Sequence, residues 1–288
     1  MDRDVVQRSN LHRQCGFTED DARRGAPKVE ALATHLSRAN DCVAIDPRAE
    51  DFRPSNALEL SRDMTLLLDG TDNVPARMLL CDVSLELRLP WIYCGAVGEE
   101  GRAQLFAPGY GPCLRCVLPE APPPGTLDTC ETAGVLGPAA AAAASLQAAM
   151  ALRVLVEGDA GLRALAGRQV RTAVWSLRAS VSEIPRDPDC PACVRGQRSA
   201  LEAIETDVEA LCGRRAVQVT PTHQPQRVDL LALASRLGPL GVVETTPHLL
   251  RFQGHGTRFA LFQDGRMIVE ETTDLAAARA VYARFFGI

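Results

Sequence analysis

The amino-acid sequence predicts an α/β fold with a doubly wound, mainly parallel sheet. Strand-like apolar segments alternate with helix-like segments over residues 1–195, which is the pattern of such sheets. Residues 64–68 form a continuous apolar run, as expected for a central parallel strand that is buried on both faces. Polar segments follow Val6 and Leu68, and ligands of doubly wound sheets bind at the carboxyl ends of the strands. The same pattern therefore indicates where a binding site would lie.

Residues 18–39 predict a helix that is interrupted once. Thr18 has the character of an N-cap, and Asp21, three residues later, completes the pattern of a capping box. Pro27 lies inside the segment and lacks the backbone N–H that a helix interior needs. We therefore expect two helical pieces.

The remaining elements of residues 1–195 are predicted from the same periodicities. Strands are expected over residues 2–6, 41–45, 90–94 and 103–107 and, as a pair, over 172–184. Helices are expected over residues 58–62, 74–88 and 135–156.

Near residue 195 the sequence pattern changes, which predicts a second domain, a small α+β module over residues 196–288. The segment QDG at residues 263–265 is a hairpin signal. The expected helices of this module cover residues 196–211, 228–237 and 275–286, and its strands cover 216–220, 242–246, 249–253, 258–262 and 267–270.

Composition limits the classes of function. The chain has 288 residues, a net charge of −5 and a sequence pI of about 5.6, which argues against nucleic acid and leaves small molecules or proteins as partners. The N-terminus is charged and has no targeting character, and the chain contains ten cysteines. Together these features favour a reducing compartment, the cytoplasm. The uncharged run over residues 132–152 is alanine-rich and too weakly apolar for a membrane span, so we interpret it as a buried helix.

Two Cys-x-x-Cys pairs lie far apart in the sequence: Cys113 with Cys116, and Cys190 with Cys193. Tetrahedral Zn²⁺ takes four soft ligands, and each pair supplies two thiolates from one turn. The spacing therefore predicts one structural zinc site that joins the two segments. A redox role for one pair is the alternative, since a single Cys-x-x-Cys also occurs in redox motifs.

Cys130 stands alone between the two pairs. It follows a proline-rich segment and precedes the start of an apolar helix, whose N-terminal dipole would favour a thiolate. These features make Cys130 a candidate nucleophile. The alternative is a small apolar side chain packed in a loop.

Several motifs in a fixed order resemble the ThiF/MoeB/HesA adenylyltransferases of the ubiquitin-activating-enzyme superfamily. They are DRDVVQRSNLHRQ at residues 2–14, Lys28, LLLDGTDN at residues 66–73 with Arg77, the two cysteine pairs, and TCETAGVLGP at residues 129–138. The resemblance covers roughly residues 1–195 and implies a Rossmann-like sheet.

The resemblance implies a nucleotide site. These enzymes use MgATP to adenylate the C-terminal glycine of a ubiquitin-like protein, and they release pyrophosphate. Asp2 would accept hydrogen bonds from the ribose hydroxyls, and Lys28 would be a cation on the triphosphate. Asn10 would donate to the phosphates and Arg13 would neutralise their charge. The whole segment along the phosphates would consist of Ser9, Asn10, Leu11, His12 and Arg13.

The resemblance also implies a metal and a partner. Asp72 would hold Mg²⁺, and Asn73 would position the nucleotide or the peptide carboxylate. In relatives that go beyond adenylation, a cysteine at the place of Cys130 accepts the activated carboxylate or sulfur. The implied partner is a ubiquitin-like sulfur-carrier protein of the ThiS or MoaD type, and the implied assembly is a homodimer. Asp72 and Asn73 also suit a turn or helix cap, and Asp69 and Arg77 are interpreted as structural.

One departure from the family leaves alternatives open. The glycine-rich strand and turn of the family do not precede Asp2. A sequence that starts at an internal methionine would explain this, and so would a homologue that no longer binds ATP. The second explanation gives another hypothesis, a zinc-stabilised non-catalytic protein that binds a ubiquitin-like partner. A dinucleotide-dependent oxidoreductase is a third hypothesis, against which residues 9–13 and the cysteine pairs argue.

Overall fold

The computed structural model describes residues 1–123, 126, 128, 132–205, 207–210, 215–220 and 228–286. The chain divides into two compact units. The first consists of Met1–Asp51 together with Thr206–Ile288, and the second of Phe52–Glu205. The N-terminal residues belong to the same unit as the C-terminal segment, so these units do not follow the boundary predicted near residue 195. Domains at residues 1–195 and 196–288 stay a prediction.

The described residues contain helices and strands in both units. The α-helices are α1 (Glu19–Arg24), α2 (Lys28–Ala39), α3 (Pro54–Ser61), α4 (Val74–Leu87), α5 (Leu114–Val117), α6 (Gly137–Glu157), α7 (Asp159–Leu165), α8 (Leu230–Leu237) and α9 (Leu275–Phe285). The strands are β1 (Leu67–Leu68), β2 (Trp91–Val97), β3 (Glu100–Phe106), β4 (Arg168–Ala173), β5 (Arg178–Glu183), β6 (Val208–Ala210), β7 (Ala216–Val219), β8 (Val242–Thr245), β9 (Leu249–Gly254), β10 (Thr257–Phe262) and β11 (Met267–Glu270).

The second unit contains a mixed five-stranded sheet with the order β1-β2-β3-β4-β5. Strands β1 and β2 are parallel, whereas β3, β4 and β5 each pair antiparallel with the strand before them. The prediction of a mainly parallel sheet is therefore wrong for the described residues, and the fold is mixed α/β. Only residues 98–99 join β2 to β3, and only residues 174–177 join β4 to β5. Loops this short connect antiparallel neighbours, because a parallel pair needs a long crossover.

Helix α6 covers the centre of this sheet. Met150 and Val154 on its buried stripe pack in one apolar cluster with Ile92 of β2. Near the start of the helix a side chain on Gly101 of β3 would collide with it, since an added Cβ would lie 2.7 Å from the carbonyl oxygen of Ala139. A glycine in β3 therefore permits the close approach of helix and sheet.

Among the helices of the described segments, α6 alone has the length and mean hydropathy of a membrane-spanning helix. A single helix with these properties is weak evidence for a membrane, because core helices of globular proteins share them. Its residues Ala139, Ala143, Met150, Ala151 and Val154 are buried inside the unit.

The first unit contains an antiparallel six-stranded sheet with the order β6-β7-β11-β10-β9-β8. Helices α8 and α9 pack on this sheet and share its apolar core. In that core Phe252 of β9, Phe259 of β10 and Phe285 of α9 contact one another, with ring centroids 5.1 to 5.4 Å apart. Successive residues of a strand point to opposite faces. Phe262 therefore belongs to a separate cluster, in which Val5 from the N-terminal segment is buried.

Local signals predicted the two helices over residues 18–39 correctly. The Thr18 hydroxyl accepts a hydrogen bond from the backbone N–H of Asp21, whose carboxylate reaches back to the N–H of Thr18, so both halves of the capping box are present. Helices α1 and α2 are separate, as the position of Pro27 predicts. The hairpin at residues 263–265 is also confirmed, since β10 and β11 pair across it.

Four predicted elements are wrong in the described residues. Residues 64–68 do not form a central strand that is buried on both faces: only Leu67–Leu68 form a strand, β1 lies at the edge of its sheet, and Leu68 is exposed. Residues 2–6 form only a single bridge, between Val5 and Pro27, and residues 41–45 form no strand. No helix covers the described part of residues 196–211, and β6 lies there instead. The backbone N–H groups of Ala200 and Leu201 donate to the buried carboxylate of Asp82, at 2.8 and 3.4 Å. A distant side chain thus takes up donors that a helix would have used.

Candidate functional site

In the first unit, Lys28 lies between two carboxylates. Its Nζ donates to Oδ2 of Asp4 at 3.1 Å and lies 3.6 Å from Oδ2 of Asp2. Lys28 is the first residue of α2, and its backbone N–H donates to the carbonyl oxygen of Asp4 at 2.9 Å. The structure therefore brings together Asp2 and Lys28, two of the residues that the sequence motifs assign to a nucleotide.

Asp4 was not predicted as part of this group. Burial opposes its charge, but Lys28 together with Arg266 and Arg3 outweighs burial and lowers the pKa of Asp4. For Asp2, burial is the dominant effect and raises the pKa, because Lys28 only partly offsets it. The available signal was the spacing, since residues two apart in extended chain point to the same side.

Residues 8–10 form a short 3₁₀ turn that is continued by Leu11. The side-chain oxygen of Asn10 accepts a hydrogen bond from the backbone N–H of Gln7, three residues earlier, at 3.1 Å, which holds the side chain within the turn. Nη1 of Arg13 donates to the carbonyl oxygen of Ser9 at 2.9 Å, and Nδ1 of His12 lies 3.0 Å from the same oxygen. The segment predicted to line the phosphates is therefore one compact local turn.

In the second unit, Asp69 and Arg77 form a buried ion pair at the carboxyl end of β1. Nε of Arg77 donates to Oδ2 of Asp69 at 2.9 Å, and the other Asp69 oxygen accepts from the N–H and hydroxyl of Thr71. The guanidinium also donates to the carbonyl oxygens of Thr71 and Cys94 and lies 4.7 Å from the ring centroid of Tyr93. Burial opposes the charge of Arg77, but Asp69 together with Tyr93 and Asp72 outweighs burial and raises the pKa of Arg77. This pair fixes the loop that leads to Asp72.

Asp72 and Asn73 follow on the same loop. The Asp72 side chain is exposed, and its charge contributes to the raised pKa of Arg77. The side-chain oxygen of Asn73 accepts the N–H of Ala76 at 2.8 Å and caps α4. The cap reading of Asn73 is thus confirmed. Asp72 presents a carboxylate at the strand end, where a ligand of such a sheet is expected.

Gln147 of α6 was not singled out from the sequence, although it connects the residue that follows β1 with the second residue of β2. Its Nε2 donates to the carbonyl oxygens of Asp69 and Ile92, at 2.9 and 2.8 Å. The carbonyl of Ile92 also accepts the backbone N–H of Asp69 at 3.0 Å, so Gln147 adds a side-chain hydrogen bond beside the parallel pair of β1 and β2. A polar residue inside an otherwise apolar helix was the available signal.

The four cysteines of the two pairs meet in the second unit. Their Sγ atoms all lie within 4.8 Å of one another. The separations are 3.9 Å between Cys113 and Cys116, 3.5 Å between Cys113 and Cys190, and 3.6 Å between Cys116 and Cys193. Zn–S bonds of about 2.3 Å in a tetrahedron place sulfurs about 3.8 Å apart. The predicted cluster is confirmed, and its dimensions fit a zinc ion.

Two further side chains contact this cluster. A hydrogen bond with the buried thiol of Cys81, together with burial, raises the pKa of Cys113. Arg186 donates from Nη2 to the carbonyl oxygen of Cys193 at 3.1 Å. Four thiolates with a divalent ion carry net negative charge, so a neighbouring guanidinium is favourable there.

Cys130 lies outside the described residues. The chain that follows it, toward α6, runs beside the turn between β2 and β3. There the N–H of Gly98 donates to the carbonyl oxygen of Gly134, and the N–H of Leu136 donates to that of Gly98, both at 2.8 Å.

The residues assigned to the nucleotide are divided between the two units. The first unit holds Asp2, Ser9, Asn10, Leu11, His12, Arg13 and Lys28. The second holds Asp72 and Asn73 and the cysteine cluster.

We expect Arg77→Met to destabilise the second unit by about 3–5 kcal/mol, because it leaves the buried carboxylate of Asp69 without its countercharge. The free energy of unfolding in urea measures this effect. Arg102→Met is the matched control: Arg102 pairs with Glu100 at the surface, and its loss should cost within about 0.5 kcal/mol. Equal effects of the two variants would contradict a structural role of the buried pair.

Comparison with known proteins agrees with these motifs. A ThiS sulfur-carrier adenylyltransferase from Bacillus subtilis (strain 168) is 32% identical over 293 residues, which cover 99% of this chain and 84% of that protein. A SAMP-activating enzyme E1 from Haloferax volcanii is 35% identical over 206 residues, covering 71% of this chain and 74% of its own.

A solved structure shares the fold. The crystal structure of E. coli MccB with MccA-N7isoASN superposes with a TM-score of 0.56 at 20% sequence identity. The match covers 67% of this chain and 58% of MccB, so this chain spans less than two thirds of that protein. The ThiF family model matches residues 1–192, and the chain therefore belongs to the ThiF family.

Proposed function

We propose that this chain is an ATP-dependent adenylyltransferase that activates the C-terminal glycine of a ubiquitin-like sulfur-carrier protein. The observation that carries the proposal is the ThiF match over residues 1–192, together with 32% identity to a ThiS adenylyltransferase over 99% of the chain. Membership of the ThiF family implies ATP binding. In the reaction, an oxygen of the carrier's terminal carboxylate attacks the α-phosphorus of ATP, and pyrophosphate leaves with its bonding electrons.

Asp2, Arg13 and Lys28 supply the nucleotide-binding groups of the first unit in this proposal. The Asp2 carboxylate accepts hydrogen bonds from the ribose hydroxyls. Arg13 and Lys28 offset the negative charge that develops on pyrophosphate. The contact between Lys28 and Asp2 supports this assignment, because it places a cation beside the carboxylate. The NH₂ group of Asn10 donates a hydrogen bond to the phosphates, while its side-chain oxygen binds the N–H of Gln7 within the turn.

Asp72 would hold Mg²⁺ in this proposal, because carboxylate oxygens together with phosphates are the ligands that this ion prefers. When bound, the ion would neutralise charge on the phosphates. Asn73 would donate from its NH₂ group to the nucleotide or the carrier carboxylate, while its oxygen caps α4.

Zinc in the cluster of Cys113, Cys116, Cys190 and Cys193 is proposed as structural, because four thiolates leave no open coordination position. A homodimer in the cytoplasm is proposed as the state in which the enzyme works. Light scattering during gel filtration measures the assembly directly.

Pyrophosphate exchange tests the function. Purified protein with MgATP and labelled pyrophosphate should form labelled ATP only when a carrier with a C-terminal Gly-Gly is present. The matched control is the same carrier without its last glycine. Carrier binding without exchange would favour the non-catalytic alternative, and exchange that ignores the carrier would contradict the proposed substrate.

We expect Cys130→Ser to leave pyrophosphate exchange within about twofold of wild type and to abolish any thiol-labile adduct between enzyme and carrier. A serine hydroxyl is far less nucleophilic than a thiolate at neutral pH, whereas adenylation does not involve this side chain. Mass spectrometry of the intact adduct, with and without dithiothreitol, measures the second effect. An adduct of undiminished yield in Cys130→Ser would exclude Cys130 as the acceptor.

A further inference from the structure

A guanidinium is buried inside the first unit, at the start of β11. Arg266 follows the hairpin turn at residues 263–265 and is 3% exposed. A buried cation is destabilising unless it is paired and hydrogen-bonded. The partners of Arg266 therefore show what this charge is used for.

Arg266 contacts the N-terminal segment as well as its own sheet. Its Nη1 donates to the side-chain oxygen of the buried Gln218 at 3.3 Å, and its Nε lies 3.5 Å from the carboxylate of Asp264. The guanidinium also lies 3.9 Å from the ring centroid of Phe262. Its Nη2 donates to the backbone carbonyl oxygen of Arg3 at 2.5 Å.

The carbonyl of Arg3 and the N–H of Asp4 belong to the same peptide group, which is planar and rigid. That N–H donates to Oδ1 of Asp2 at 2.8 Å. A continuous chain of hydrogen bonds therefore runs from the guanidinium of Arg266 through one peptide to the carboxylate of Asp2. Donation to the carbonyl polarises the peptide and strengthens its N–H as a donor.

The surroundings hold this peptide in place. Val5 is buried with Phe262 on the same side of the sheet, and Arg3 forms an ion pair with Asp51. Arg266 also helps Lys28 to lower the pKa of Asp4.

We propose that Arg266 is a positioning residue for ribose recognition: it fixes the peptide that orients the Asp2 carboxylate toward the ribose hydroxyls of ATP. This inference rests on the proposed function. With this role, the segment after residue 196 contributes to nucleotide selection, although Arg266 itself does not contact the nucleotide.

The test compares ATP with 2′,3′-dideoxyATP in the carrier-dependent pyrophosphate exchange. Wild type should prefer ATP by about 10- to 100-fold in kcat/KM, the effect of a hydrogen bond to a charged acceptor. Arg266→Met should lower this preference at least fivefold, toward that of Asp2→Ala, mainly through KM for ATP. Arg258→Met is the matched control, because Arg258 pairs at the surface of the neighbouring strand with Glu270 and Glu271. Its preference should equal that of wild type.

A general loss of stability would lower both rates together and leave their ratio unchanged. A wild-type ratio in folded Arg266→Met therefore overturns the positioning role while the proposed function stands. If Arg266→Met does not fold, Arg266→Lys replaces it in the same measurement. A single ammonium group cannot bind both the carbonyl of Arg3 and the side chain of Gln218, so the preference for ATP over 2′,3′-dideoxyATP should still fall. If wild type shows no exchange, the proposed function fails, and calorimetric affinities for the two nucleotides provide the ratio instead. Absence of ATP binding would overturn both.

Discussion

Cys113→Ser should abolish zinc binding and leave residues 52–205 without a stable fold. Structural zinc contributes roughly 10 kcal/mol or more of apparent free energy, which is similar to the whole stability of a typical domain, about 5–15 kcal/mol. The Sγ of Cys113 lies 3.5 Å from that of Cys190 and 3.9 Å from that of Cys116, so its loss breaks both the local turn and the link across the chain. Metal analysis of the purified protein and circular dichroism measure the two effects.

Cys42→Ser is the control, because Cys42 is exposed and remote in sequence from both pairs. It should bind one zinc ion per chain and unfold like wild type. A Cys113→Ser variant that keeps its zinc, or a wild-type protein that stays folded after complete chelation, would contradict a structural metal site.

Asp72→Asn should reduce carrier-dependent pyrophosphate exchange about a thousandfold, which corresponds to about 4 kcal/mol of transition-state stabilisation. The amide cannot replace a carboxylate in holding Mg²⁺. The fold should be unaffected, because the Asp72 side chain is exposed and the buried ion pair next to it involves Asp69. Exchange rates across a series of Mg²⁺ concentrations measure the effect.

Asp63→Asn is the matched control for Asp72→Asn. Asp63 is also exposed, but it precedes β1, at the strand end opposite to the loop that carries Asp72. Its exchange rate should equal that of wild type. Similar losses in both variants would point to net charge rather than to a metal ligand at Asp72.

The parts of the site that sequence predicted best are those that local spacing determines. Two thiols three residues apart fit one turn, so the cysteine pairs predicted a cluster that the fold then assembled. The partner of Lys28 could not be assigned with equal success, because Asp4 and Asp2 both lie within reach of its ammonium group, at 3.1 and 3.6 Å. Gln147 binds the backbone carbonyls of Ile92 and Asp69, which are 55 and 78 residues away in sequence, a distance over which spacing carries no information.

In the fold, too, features that depend on neighbouring residues were predicted, and features that depend on distant contacts were not. The capping box at Thr18 and the break at Pro27 depend on neighbouring residues and were predicted correctly. Strand direction depends on the connections, and the short links before β3 and β5 impose antiparallel pairing that the alternation of strands and helices does not reveal. In place of the helix expected over residues 196–211, the backbone N–H groups of Ala200 and Leu201 bind Asp82, which lies more than a hundred residues earlier in the sequence.

The cysteine cluster closes a long ring in the second unit. A metal ion there would tie residues 113–116 to residues 190–193, and helix α6 and strands β4 and β5 lie on the ring between them. Closing such a ring restricts the unfolded chain much as a disulfide does. A single proteolytic cut between Val117 and Asp189 would consequently produce two fragments that migrate as one particle until a chelator releases them.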